Sequence, residues 1–305
     1  MKTLNLLIAA ALFGAMTLAT ATAQEASKKA GPTTRPASKV IATVGKAEIT
    51  SDKLQMAMQR MRINSKEQAL AQLVIQALIE AYADSVPCTD KDIAEWKANM
   101  VKELAARKLG SLDKFLADRK LTKDDIPRMV RFEKLEAKAM KAASAEAVDA
   151  LTKAHPTYFD GTKVQASHIL LSCGPGAGDA ERGEIRKQLD QIGADIKAGK
   201  VKFEDAAKKH SKCPSGAKGG DLGPFAFHSM VTPFSQMAFS MKVGDVSGIV
   251  ETQFGFHIIK VTKNTPGTGK VGPNAQQIAK RTLLGNFRDE VIAEARKDNP
   301  VTIIK

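Results

Sequence analysis

Apolar positions change their period several times along the chain, and each change predicts a different element. Leu4 to Ala19 is almost continuously apolar after Met1-Lys2, and it closes on the small-x-small site Ala21-Thr-Ala23. Val40 to Ile49 alternates around Gly45, which predicts a short strand-turn-strand. From Thr50 the spacing becomes helical. Thr50 caps a helix with Leu54, Met58 and Met61 on one face. Ser65-x-x-Gln68 reads as a capping box before a stripe of Leu70, Leu73, Val74, Ala77, Leu78 and Ala81. Thr89 opens a third helix through Ile93, Trp96, Met100 and Leu104, stopped near Gly110. A short helix spans Ser111 to Arg119, and Asp124-Asp-Ile-Pro127 starts another through Val130 and Leu135 towards Met140. Ser144 to His155 forms a connecting helix, and Pro156 to Gly161 marks a boundary.

Beyond that boundary strands and helices mix. Strands are predicted at 164–171, 221–227, 246–252 and 255–262. Asp179 to Lys197 is a long helix with Ile185, Leu189, Ile192 and Ile196 inward, ended by Gly199. Shorter helices cover Phe203 to Ser211 and Thr232 to Met241. After the Gly/Pro-rich link 265–273, Asn274 to Lys297 is helical, with Ile278, Leu283, Leu284, Phe287, Val291 and Ile292 apolar, and Val301 to Ile304 is a last strand. One helix and one strand bury too little to fold alone, and the strand at 40–49 needs a partner for its edge. Val301 to Ile304 is therefore expected to pair with Val40 to Val44, and the last helix to pack on residues 50–142.

A chain of 305 residues has room for about two domains. The apolar start is shorter than the ~20 residues of a membrane span and ends on small residues, so 1–23 reads as a secretory signal peptide cleaved after Ala23, with no stable membrane insertion afterwards. Residues 24–38 are a polar, disordered lead. The formal charge of +13 first suggests nucleic acid. However, 24 basic residues face 19 acidic ones over 24–162, 14 face 10 over 163–264, and 7 face 4 over 265–305. The excess is diffuse and aromatic residues for base stacking are few, so no nucleic-acid partner is expected. Three widely spaced cysteines, Cys88, Cys173 and Cys213, do not make a disulfide framework.

The chemistry concentrates in Val164-Gln-Ala-Ser-His168-Ile-Leu-Leu, Cys213-Pro-Ser-Gly-Ala-Lys-Gly-Gly-Asp-Leu222, Met230-Val-Thr-Pro-Phe234 and Thr252-Gln-Phe-Gly-Phe-His257. In this order these motifs resemble the parvulin family of peptidyl-prolyl cis/trans isomerases, over roughly Lys163 to Lys263. The resemblance implies an antiparallel four-stranded sheet flanked by helices. It places Leu222, Met230 and Phe234 in a proline pocket, and His168, Cys213, Thr252 and His257 on its polar catalytic floor. No cofactor is implied. A cysteine-protease reading gives Cys213 a histidine base but finds no third, orienting residue. His210-x-x-Cys213 has a metal-like spacing without a second ligand pair, so no metal is expected. Phosphate-directed members carry Lys/Arg after the first strand; Ser172 to Asp179 has none, so unmodified X-Pro segments are the expected substrates.

The helical part resembles the SurA- and PrsA-type exported foldases, through Val44, Gly45, Ile49 and Thr50 and the pattern from Phe115 to Asp124. The expected fold class is thus α+β. A parvulin domain at 163–264 is inserted in a mainly α-helical chaperone module, built from 39–160 and completed by 265–305. The expected partners are unfolded or nascent exported polypeptides with X-Pro bonds, met in a periplasmic or other extracytoplasmic space. A second reading makes the chain a peptide-holding chaperone with little isomerase turnover.

Overall fold

The computed structural model describes residues 38–304. The signal peptide expected over 1–23, and the lead over 24–37, lie outside the described residues. The chain runs β1 (Val40–Val44), β2 (Ala47–Thr50), α1 (Ser51–Met61), α2 (Lys66–Ser85), α3 (Asp90–Ala106), α4 (Leu112–Asp118), α5 (Ile126–Ala142) and α6 (Ala145–Ala154). It continues with β3 (Lys163–Ser172), α7 (Asp179–Lys197), α8 (Phe203–His210), β4 (Asp221–Ala226), α9 (Thr232–Ser240), β5 (Val250–Thr252), β6 (Gly255–Thr265), α10 (Ala275–Asp298) and β7 (Val301–Ile303).

The two ends of the described chain meet. β7 lies beside β1 with Ala42 opposite Ile303 and Val44 opposite Val301, so the last strand covers the edge that β1 would expose. Behind this three-stranded sheet, Val44, Ile49 and Val301 pack on Val74 and Leu78 of α2 and Ala295 of α10. The adjoining face of α2 buries Ile75 and Ile79 against Leu135 of α5 and Val291 of α10. A third cluster joins Trp96, Met100 and Leu104 of α3 to Leu116, Met129 and Val130. The residues from β3 to β6 are thus inserted in a mainly helical module made from both ends of the described chain.

Helix starts follow local chemistry. Thr50, Ser65, Thr89, Ser111 and Ser144 each accept a backbone N–H from the first turn. The reciprocal box forms at Thr89–Asp92; at Ser65 the hydroxyl accepts from Gln68 N–H and donates to Glu67 instead. α1 departs from expectation, since Met61 is exposed and Leu54 and Met58 are only half-buried.

The second sheet has the order β4-β3-β6-β5, all antiparallel. Alternation sends Ile169 and Leu171 of β3, with Phe256 and Ile258 of β6, towards α7 and α8. Val164 and Ala166, with Ile259 and Val261, face α9. The strand expected over 246–252 is shorter, because the Ser247 hydroxyl accepts the Ile259 N–H where a ladder carbonyl would stand. Only Val246 bridges to Lys260 before β5 begins at Val250.

Candidate active site

His168 and His257 stand on adjacent strands of the α9-facing side. Register places Leu170 opposite His257 and His168 opposite Ile259, so the two histidines are diagonal neighbours. Their Nδ1 atoms are 3.1 Å apart, and His257 Nε2 lies 2.8 Å from Thr252 Oγ1. Thr252 also accepts the Phe254 N–H at 3.1 Å. Its own proton has two acceptors, His257 Nε2 at 2.8 Å and the Gly255 carbonyl at 3.5 Å. The shorter contact assigns the order Thr252 to His257 to His168. His257 then donates from Nδ1 to His168 Nδ1, and His168 carries its proton on Nε2. That nitrogen is buried with no protein partner, an arrangement worth about 1–3 kcal/mol of lost hydrogen bonding.

Phe234 closes this pair from above, edge-on to both rings at centroid distances of 5.6 and 5.5 Å. Both histidines are buried, and burial pushes His168 down to about 4. Burial, with repulsion from His168, pushes His257 down to about 3. The pair is therefore neutral at neutral pH and too weakly basic to activate a nucleophile there.

The loop carrying Cys213 is held against β3 beside His168. Lys212 N–H donates to the Leu170 carbonyl, Leu170 N–H donates to Ser211 Oγ, and His168 N–H donates to the Gly220 carbonyl. Gly220 sits at φ +84°, and a Cβ there would stand 2.3 Å from the His168 carbonyl oxygen. Gly220 is thus needed for a close backbone pass at the site. Cys213 itself opens the 3-10 turn Pro214–Lys218, half-buried and free. Among the described residues no side chain hydrogen-bonds the Cys213 thiol.

Leu222 and Met230 are half-buried and pack on the cluster that contains Phe234 and Phe225. All seven expected residues therefore lie around one face and edge of the second sheet. Phe234 is only 3% exposed and is as much core as pocket. Three contributors were not singled out from the sequence. Ser211 pins the Cys213 loop, Phe225 backs Phe234 at 6.0 Å, and Phe254 stands 53% exposed two residues beyond Thr252. An aromatic residue in a turn carries no signal without the site beneath it.

The loop 173–178 is already engaged. Arg296 of α10 donates to the Pro175 and Ala177 carbonyls and pairs with Asp179, whose other oxygen accepts Val301 N–H. A Cβ on Gly176 would come within 2.9 Å of the Ala71 backbone. This loop is a latch onto the helical module.

The site thus consists of a buried, neutral histidine pair under an aromatic ring, on a four-stranded sheet with an apolar rim. Residues 168–263 match the family described as the rotamase, PPIC-type PPIASE domain. The chain is 42% identical over 115 residues to a peptidyl-prolyl cis-trans isomerase Pin1 of Malus domestica, spanning 33% of this chain and 95% of that protein. It is 34% identical over 235 residues to the foldase protein PrsA of Bacillus subtilis, spanning 76% of this chain and 72% of that one. A SurA-type isomerase of Haemophilus influenzae is 44% identical over 131 residues, 42% of this chain and 41% of the relative. The chain belongs to the parvulin-type peptidyl-prolyl cis-trans isomerases, and the PrsA proteins among its relatives are foldases.

Proposed function

We propose that this isomerase acts on unfolded exported polypeptides, with Leu222, Met230 and Phe234 gripping the proline ring above a floor of His168, Cys213, Thr252 and His257. A peptide bond resists rotation by ~18–20 kcal/mol because twisting removes amide resonance. Lowering that barrier requires a dry grip on proline and donors placed where the amide loses its planarity. The observation that carries the reading is the ordered pair beneath Phe234, which ends on the unpartnered His168 Nε2. That nitrogen is shut off from solvent in the free protein, so a client carbonyl or pyramidal prolyl nitrogen becomes its acceptor only once the side chains above it shift aside.

The clients proposed are unmodified. The 173–178 loop carries no basic side chain, and the two arginines beside it are already engaged, Arg296 with its carbonyls and Asp179 and Arg182 with Glu251. Export rests on the apolar leader ending at Ala23 and the foldase relatives; the protein then works outside the cytoplasmic membrane, soluble after cleavage. Among the described residues no single helix is long and apolar enough to cross a membrane. The proposed working division is 39–160 with 265–305 for holding clients, and 163–264 for isomerisation.

The test is protease-coupled isomerisation of X-Pro peptides by residues 24–305. Turnover should exceed the uncatalysed rate, and phosphoserine before proline should give no advantage over alanine. A strong preference for phosphoserine, or absence of turnover, would sink the reading.

A further inference from the structure

A second pocket of about 320 Å³ opens between the isomerase domain and α10. Tyr158, Phe159, Ala275 and Ile278 form its apolar lining, and His228, Lys270 and Asn274 stand among its exposed residues. We infer that this pocket is a second client subsite, taking an apolar or aromatic side chain of the polypeptide whose proline occupies the first. The inference rests on the proposed prolyl site and adds a substrate determinant to it.

Continuity with that site is the first argument. Ala226 and His228 line the second pocket, whereas Met230, two residues on, packs with Leu222 and Phe234 around the first. One stretch of chain is a shared wall, and the span from His228 to Met230 is at most ~7 Å. Phe239 packs on both apolar clusters and joins the pockets from behind. A client extended across the wall would pass from one to the other within about three to five residues at ~3.3 Å each.

The lining chemistry selects the ligand. Asp160, the buried carboxylate in the wall, already accepts the Thr162 N–H at 2.8 Å, and Thr162 Oγ1 accepts the Gly267 N–H at 3.0 Å. Thr268 Oγ1 likewise donates to the Asp160 carbonyl, so these three polar residues are engaged within the wall and the recess between them offers the apolar surface of Tyr158, Phe159, Ala275 and Ile278. Its aromatic floor is fixed: Tyr158 stacks on Phe227 at 3.8 Å and on His155 at 4.7 Å. The size, at the lower end of ligand pockets, suits one or two side chains and no folded element.

The pocket also belongs to the two-module protein. Only Ala226 and His228 of its lining lie within the matched 168–263 stretch; the rest comes from the crossings 158–162 and 268–275 and from α10. Those crossings are stitched together, with Thr268 N–H donating to the Asp160 carbonyl and Gly272 N–H to that of Phe159. A preformed recess gains affinity because little ordering remains to be done on binding.

The test uses residues 24–305 and proline peptides of two lengths. One set is tetrapeptides; the other is 12-residue peptides with Phe, or Ala, two to six positions to either side of proline. At one spacing Phe should raise kcat/KM about tenfold over Ala, consistent with partial burial of one aromatic side chain. Ala226→Trp, which fills the recess, and Lys270→Trp, which covers it from an exposed position, should each remove that gain. Both should keep tetrapeptide kcat/KM within about twofold. If Ala226→Trp does not fold, Lys270→Trp decides. A gain below about twofold at every spacing, or one that survives the folded variants, overturns the inference. So does a gain seen only after residues 24–37 are removed, which would give the pocket to the chain's own leading segment. If tetrapeptides are not turned over at all, the prolyl reading has failed. The Phe-to-Ala ratio is then read from fluorescence anisotropy of the same peptides, and a ratio near one overturns the subsite as well.

Discussion

At the residue scale the histidine pair determines how the protein responds to pH. His168 and His257 are held near 4 and near 3, below the ordinary ~6.5 of an unfolded histidine. The native state therefore binds fewer protons than the unfolded chain between those values. Their contribution to stability is complete above about pH 6.5 and is lost as pH falls through about 4 and then about 3. Turnover should accordingly be flat from about pH 5 to 8, without the inflection near 6.5 that an ordinary histidine base gives. A clear inflection there in kcat/KM would show that a site histidine titrates. Met230 and Phe234, expected to play equal parts, are separated by burial. Met230→Ala should reduce kcat/KM several-fold with little change in melting temperature. Phe234→Ala removes a side chain packed among Phe225, His168 and His257, and should destabilise by about 3–5 kcal/mol. Denaturant melts of both variants check this. Cys213→Asp should retain substantial turnover, since no base is poised to activate the thiol; abolition would point to covalent chemistry.

At the element scale, motif order made the sheet and its site legible, and periodicity did the same for the helices. The strand from 246 was overextended because Val246, Ile249 and Val250 read as one run. Ser247 interrupts that run by using its hydroxyl in the ladder, which an apolar pattern does not reveal. Gly219-Gly220 was visible as a break, but its reason is a backbone contact with a strand fifty residues earlier. Gly220→Ala should thus cost both stability and turnover, with the larger losses of hydrogen-exchange protection at Ser211–Leu222 and His168. The latch was not legible either, because Arg296 and Asp179 lie far apart in sequence and neither belongs to a motif. Arg296→Ala removes three carbonyl or carboxylate contacts and should destabilise by about 1–2 kcal/mol, discounted because Asp179 is partly solvent-screened. Hydrogen exchange should quicken over 173–179; unchanged protection there would mean that the loop is held by Gly176 and Ala71 packing alone.

At the scale of the whole molecule, the pairing of Val301 to Ile304 with β1 was predictable because each end of the chain lacked what the other supplied. The second role of α10 was less accessible. Its apolar residues read as one face for the helical module, and Val291 and Ala295 do pack there. Ala275, Ala279 and Leu283, nearer its start, instead join Phe227 and Phe239 of the isomerase domain to Val148 of α6. Two truncations separate these roles. Ending the chain at Asn299 removes β7 alone, exposes the β1 edge and strips Val301 from its core. It should lower the melting temperature of the helical module while tetrapeptide isomerisation persists. Ending it at Pro273 also uncovers Phe227 and Phe239, which back the elements carrying Met230 and Phe234. That longer deletion should destabilise both modules and reduce turnover too. Calorimetry with a parallel tetrapeptide assay tests the pair. If the Pro273 truncation keeps full turnover and only the helical transition shifts, α10 supports one module and the contacts at Ala275 to Leu283 carry no stability.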